Sequence, residues 1–340
     1  MWCKRVPLLA APVLAAILQA QSPAPKTLQE TLKLSPAELK ILDQGLPVVR
    51  EEPGPDRNEV FLYGVVYVAG APEKFLKTYA EVEKLVDGKS YLAARYFKSA
   101  PSLADLSGLQ FDSEDIEQLR RCEPGDCDVQ LPASEMQRIR AGVNWNSPQA
   151  NRQANEMIRQ TALNLLRSYQ KSGNQGLGVY HDKGSPTAVD KTFQQVLSRA
   201  KDLPSYLPAF SSYLLKYPTA KPPNTWEFFH WEVVKFGLKP TFRMNHVVYH
   251  QPPERPSSWV VASKQLYASH YFQTALDLWF CVPASRFGKT GYYLATFKGS
   301  RQEGLTGLKG RLLRGVVISR TQSAMRNALA RLKQVSETGK

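Results

Sequence analysis

From Trp226 to Lys298 the chain carries five strand-like runs in succession: WEFFHWEVVKF (226–236), TFRMNHVVYH (241–250), SWVVASKQLYAS (258–269), ALDLWFCV (275–282) and GYYLATFK (291–298). β-branched and aromatic residues fill them, and the loops between are short and polar or Pro-rich. Parallel neighbours would need crossovers of a dozen residues or more, so the runs predict an antiparallel meander. Such a sheet must cover an apolar face with a second layer. The last segment, Thr321 to Val335, offers one: Ala324, Met325, Ala328, Leu329, Leu332 and Val335 recur at helical spacing.

The upstream half mixes both periods. EVFLYGVVYV (59–68) reads as a strand stopped by Gly70-Ala71-Pro72. EKFLKTYAEVEKLV then puts Phe75, Leu76, Tyr79, Val82, Leu85 and Val86 on one helical face. SYLAARYF and a segment near 105–111 read as extended, and Ser113 to Arg121 as a short helix. From 132 to 217 the pattern is helical. Ser147-Pro148 opens one helix, and two more lie near 186–199 and 205–216. Residues 21–57 read as a linker holding one short helix near 35–46. The glycines at 299, 304, 307, 310 and 315 match neither phosphate-loop nor dinucleotide spacing and read as a flexible loop or lid.

The first twenty residues carry a basic start (Lys4, Arg5), an apolar run from Val6 to Leu18 and a small-residue step at Ala20-Gln21-Ser22. That order is a secretory leader, and the run is short of the roughly 20 residues needed to span a bilayer. The expectation is a periplasmic or secreted protein. Export makes a disulfide the leading reading for Cys122 and Cys127, which flank the turn sequence Glu-Pro-Gly-Asp. Cys281, inside LDLWFCV, reads as a buried free thiol.

The 340 residues hold 44 Lys or Arg against 30 Asp or Glu, a formal charge of +14. The excess is concentrated: residues 286–340 contain twelve basic and two acidic side chains. One reading is a solvated helix face; the other is contact with an anionic membrane surface or acidic partner, through Lys309, Arg311 and Arg314. An exported chain without a nucleic-acid motif gives no ground for a nucleic-acid partner.

The order strand, helix, antiparallel strands, long C-terminal helix resembles the START-like helix-grip superfamily. The residues that carry the resemblance are EVFLYGVVYVAGAPEKFLKTYAEVEKLV at one end and GYYLATFKGSRQEGLTGLKGRLLRGVVISRTQSAMRNALARLKQ at the other. It implies an α+β domain over 58–340, a curved antiparallel sheet around the C-terminal helix, with residues of about 132–217 inserted. It also implies a cavity between sheet and helix for a lipid or other hydrophobic small molecule.

Along 241–250, Phe242, Met244, His246 and Val248 alternate onto one face, apolar with one polar group, as ligand pockets often are. With Tyr267 and Leu329 they are the candidate lining; plain sheet-to-helix core is the competing reading. His246 and His250 stand about 13 Å apart on a strand at roughly 3.3 Å per residue, too far for one metal, and no His or Cys spacing fits a metal motif. No cofactor motif and no nucleophile elbow occurs. Binding is therefore favoured over catalysis. The alternatives are an enzyme using His246 or His270 with a nearby Tyr as acid-base pair, and an envelope interaction module docking through the helical block.

Overall fold

The five C-terminal runs form the middle of an eight-stranded sheet in which every pairing is antiparallel. The strands are β1 (Val48–Glu52), β2 (Glu59–Ala69), β3 (Tyr91–Tyr96), β6 (Thr225–Lys235), β7 (Pro240–His250), β8 (Trp259–Ala268), β9 (Phe272–Arg286) and β10 (Lys289–Gln302), with β4 (Val179–Tyr180) and β5 (Thr187–Ala188) making a separate small hairpin. The order across the large sheet is β1-β2-β10-β9-β8-β7-β6-β3. The meander β6 to β10 is thus flanked by β2 on one side and β3 on the other. β2 and β10 run in register for eleven residues, from Glu59 opposite Arg301 to Ala69 opposite Gly291. The computed structural model describes residues 34–200, 207–235, 239–286 and 288–338, without the side chains of 308 and 309. The leader expected over 1–20 lies outside the described residues.

Eight α-helices lie among the described residues: α1 (Pro36–Asp43), α2 (Glu73–Ala80), α3 (Ser113–Arg121), α4 (Ala133–Gly142), α5 (Ala150–Ser172), α6 (Val189–Arg199), α7 (Pro208–Lys216) and α8 (Gly307–Thr338). Helices α3 to α7 are inserted between β3 and β6, starting ahead of the boundary expected near 132. The α+β architecture is that of a helix grip: an antiparallel sheet against a long C-terminal helix, with an inserted helical block.

Successive side chains of a strand point to opposite faces, and here both faces are covered. On one face Leu62, Val66, Val261 and Leu294 bury against Phe75 of α2 and Ile318, Met325 and Leu329 of α8. Gly64 permits this approach, because a Cβ there would come within 2.8 Å of Leu329 Cδ1 and Met325 Sδ. Polar ties fix the helix along β1 and β2. Arg314 pairs with Glu51 at 2.8 Å, and Lys333 donates to the Tyr67 carbonyl at 2.8 Å. On the other face Phe61, Trp231, Phe242, Val248 and Leu278 share a core with Leu166, Phe193 and Phe210 of the inserted helices.

Three local expectations change. The segment near 105–111 is not a strand: Ser102 N–H donates to Asp105 Oδ2 at 2.9 Å, and that cap turns Leu103–Leu106 into a 3-10 helix. Most of the glycine-rich stretch is strand and helix, with only Gly304 in the short link between β10 and α8. Gly299 lies in β10, while Gly310 and Gly315 lie in α8, which begins at Gly307 rather than near Thr321. A Cβ at Gly310 would sit 2.5 Å from the Leu305 carbonyl carbon, so glycine there serves close packing. Part of the expected linker is β1, paired with β2 from Val48 opposite Val65 to Glu52 opposite Phe61.

Leu329 is fully buried whereas Leu312, on the same helix, is 76% exposed. Leu329→Ala should lower unfolding free energy by about 2–5 kcal/mol through lost burial and a residual cavity. Leu312→Ala should change it by less than about 0.5 kcal/mol. Denaturant titration of both variants checks the pair.

Candidate functional site

The face of the sheet under α8 and α2 is apolar near β2 and polar farther across. Cross-strand neighbours build a polar band there: His230 opposite Asn245, Asn245 opposite Gln265, Ser263 opposite Asp277, and Asp277 opposite Lys298. Arg243 pairs with Glu232 at 3.3 Å, and Lys298 with Asp277. His230 Nδ1, Asn245 Oδ1, Gln265 Oε1 and Thr296 Oγ1 are buried without a partner among the described residues. Burial pushes the His230 pKa down, so the ring is neutral at pH 7. An aromatic wall closes one end: Tyr79 of α2 lies against Trp279 (5.8 Å between centroids) and Tyr249 (6.4 Å). These polar atoms are enclosed by the packing beside the aromatic wall, with hydrogen-bonding capacity unmet.

The expected lining residues are divided by the sheet itself. Phe242, Met244, His246, Val248 and Tyr267 face the inserted helices, and Leu329 faces β2 from the opposite layer. Around Phe242 and Tyr267 the cavity measures only about 20 Å³. These five belong to a packed core.

His246 sits within that core in a chain of hydrogen bonds. Lys264 Nζ donates to Asn174 Oδ1 and, at 3.3 Å, to Tyr169 Oη. Tyr169 Oη lies 3.0 Å from His246 Nδ1, and His246 Nε2 lies 3.2 Å from Glu227 Oε2. Lys221, partly exposed, reaches Glu227 Oε1 at 3.1 Å. Burial lowers the His246 pKa, so Nδ1 accepts from Tyr169 and Nε2–H donates to Glu227. Burial also raises the Glu227 pKa, but hydrogen bonds from His246 and Tyr213 outweigh it and hold the carboxyl at about 2. Lys264 is wholly enclosed, over the rings of Phe193 (4.2 Å) and Tyr169 (4.6 Å), and burial pushes its pKa well below the lysine range. The sequence holds a signal for it: Lys264 shares its parity with Val260 and Ala262, the core-facing residues of β8.

His270 is likewise committed. Its Nε2 lies 2.9 Å from Asp115 Oδ2 and its Nδ1 3.0 Å from the Asp128 carbonyl. Both ring nitrogens of His246 and of His270 face partners within the chain, so neither offers a free base. Of the basic candidates, Arg311 is exposed, Arg314 is engaged by Glu51 and the Arg57 and Glu59 carbonyls, and the Lys309 side chain lies outside the described residues. Cys122 and Cys127 are joined by a disulfide, and Cys281 is free and buried.

A second concavity opens where the disulfide loop meets the β4–β5 hairpin. Gly125 N–H donates to the His181 carbonyl at 2.7 Å and Cys127 N–H to the Asp182 carbonyl at 3.0 Å. The groove alongside has a volume of about 980 Å³ and includes Asp182, Thr187, Tyr271, Gln273 and Glu303 in its walls. Asp182 is buried, and its Oδ2 has no partner among the described residues. Burial, then the nearby Glu303 charge, raise its pKa to about 6.

A solved norcoclaurine synthase from Thalictrum flavum, in complex with dopamine and hydroxybenzaldehyde, is similar to this chain at 12% identity over 42% of this chain and 77% of its own, with a TM-score of 0.20. At that score nothing about ligand or chemistry transfers, and the helix-grip description rests on the strand order and α8. No family model matches the chain, and no curated protein matches it.

Asp182 generates a stability prediction. A carboxyl whose pKa rises on folding binds its proton more tightly in the folded state. It therefore costs nothing below the unfolded value near 3.8 and progressively more as pH rises to about 6. Asp182→Asn should stabilise the protein at pH 7.5 by about 1–3 kcal/mol, from roughly 1.4 kcal/mol per pKa unit. The gain should vanish toward pH 4. Melting temperatures of both proteins across pH 4–8 check this.

Proposed function

We propose that the protein binds a largely apolar small molecule, lipid-like and bearing a few hydrogen-bonding groups, on the α8 face of its sheet. We further propose that it exchanges this cargo at an anionic membrane outside the cytoplasm. One observation carries the reading. Helix α8 buries Ile318, Met325 and Leu329, yet its first turns present Leu312 (76% exposed), Leu313 (51%) and Val316 (46%) to solvent, beside exposed Arg311. Apolar side chains kept in water cost about 25 cal/mol per Å², and an amphipathic segment with flanking arginine recovers that by lying in a lipid interface. The basic excess of 286–340 adds long-range attraction to anionic lipid.

The polar band at His230, Asn245, Gln265 and Thr296, next to the Tyr79–Trp279 wall, supports a cargo with both apolar and polar parts. The leader pattern and the Cys122–Cys127 disulfide support a setting outside the cytoplasm.

Co-flotation with vesicles tests the membrane step. The protein should bind phosphatidylglycerol-containing vesicles and not pure phosphatidylcholine, and added salt should weaken the binding. Leu312→Asp with Val316→Asp should reduce it at least tenfold, and Arg311→Glu severalfold, with the melting temperature unchanged. Equal binding to both vesicle types, or none to either, defeats the proposal. Native mass spectrometry should show a bound lipid-sized mass, lost when Asn245 and Gln265 are replaced by Leu.

A further inference from the structure

The inserted helices meet the sheet through a buried network whose hydrogen bonds run in one direction. Lys264 Nζ donates to Asn174 Oδ1 and Tyr169 Oη, Tyr169 O–H donates to His246 Nδ1, and His246 Nε2–H donates to Glu227 Oε2. Asn174 is held in that orientation, because its Nδ2 donates to the Leu214 and Leu215 carbonyls at 3.3 and 2.7 Å. Glu227 also accepts from Tyr213 of α7 and pairs with Lys221 at 3.1 Å. The network ties the end of α5, the turn after it and α7 to β6, β7 and β8.

The donors balance only while both bases are neutral. A neutral lysine amine has two N–H groups, and Asn174 and Tyr169 accept them. A neutral imidazole has one, and Glu227 accepts it. A further proton on Lys264 gives a third N–H, which meets the ring faces of Phe193 (4.2 Å) and Tyr169 (4.6 Å) instead of an oxygen. A further proton on His246 turns Nδ1 into a donor toward Tyr169 Oη. The tyrosine proton must then swing to the Lys264 nitrogen, and a lysine N–H loses its acceptor. Either way one N–H is orphaned in a site closed to water, where Lys264 is 0% and His246 1% exposed.

No carboxylate stands beside Lys264 to offset a charge. Around it lie Tyr169 of α5, Asn174, Phe193 of α6, and, across the strands, His246 of β7 and Leu276 of β9. His246 does face Glu227. Its ring, however, is packed between Phe229 and Tyr217, at 4.5 and 4.7 Å between centroids, and Lys221 and Lys264 oppose a positive charge there.

We infer that Lys264 and His246 form an acid-released latch: at neutral pH and above they hold the α5–α7 end of the inserted block to the sheet, and on acidification that end opens while β2 and α8 stay packed. Opening bares the strand face that carries Met244 and Val248, sealed beneath the block in this structure. Both bases act with the same sign. Burial lowers the pKa of each, so each binds its proton more weakly in the folded state. The penalty is absent above the unfolded values, about 10.4 for lysine and 6.5 for histidine, and grows as pH falls toward the lower folded values. The inference does not depend on the lipid cargo proposed above.

Hydrogen exchange on the purified protein from pH 5 to pH 9, corrected for intrinsic exchange rates, tests the latch. Peptides covering 165–177 and 208–217 should lose at least tenfold in protection between pH 8 and pH 5.5, and those covering 59–69 and 321–335 less than twofold. Lys264→Met combined with His246→Gln should hold all four within twofold. Nitrogen-15 spectra of the unaltered protein give a readout that needs no variant. The Lys264 Nζ should show a neutral amine at pH 8 and become an ammonium in step with the lost protection. An ammonium at pH 8, a loss shared equally by β2 and α8, or a loss that persists in the folded double variant overturns the latch. None of these measurements uses a vesicle or a lipid, so the transport reading and the latch can fail separately.

Discussion

The antiparallel pairing of β2 with β10 organises the molecule. It joins residues 59–69 to residues 291–301, across more than two hundred residues of chain. Because α2 follows β2 and α8 follows β10, this one pairing delivers both helices to the same face. It also leaves β3 to close the far edge on β6. The inserted helices depart from β3 and return to β6, so they can only cover the opposite face. Two cores follow, with one sheet as their shared wall.

The two sides treat buried polarity differently. On the insertion side, Lys264, Tyr169, His246 and Glu227 satisfy one another in sequence, ending at a lysine that reaches water. A lysine ammonium in that environment would lack compensation, so the neutral amine is the form that fits. On the α8 side, several hydrogen-bonding atoms are enclosed with no partner among the described residues. Closed polar networks add specificity to a core, whereas incomplete ones cost free energy that a ligand can return.

Much of the fold was legible because strand signals are local. The runs at 226–236, 241–250 and 258–269 match β6, β7 and β8 to within a residue or two, and EVFLYGVVYV matches β2. The helix of the grip was legible only from Thr321 on, since glycines at 307, 310 and 315 disguise its first turns as a loop. The alternation of Phe242, Met244, His246 and Val248 onto one face was also legible, but which layer that face meets was not. Period two states that residues share a side; it does not say whether α8 or the insertion lies there. The groove was invisible for a related reason: Asp182, Gln273 and Glu303 come from distant segments, and no local spacing links them. Cys122 and Cys127 were the exception, since their pairing depends on a turn only five residues apart in sequence.

The shared wall has a consequence for how the chain could have been assembled in evolution. A grip with a bare outer sheet face carries polar side chains there, and a helical block added later could be lost again without harm. Here that outer face bears Trp231, Phe242, Met244, Val248, Leu276 and Phe297, all in the core beneath the inserted helices. Excising the block would leave a broad greasy plane in water, which is a template for aggregation. The sheet therefore depends on the inserted helices for cover, and the strands beneath them are not free to face solvent.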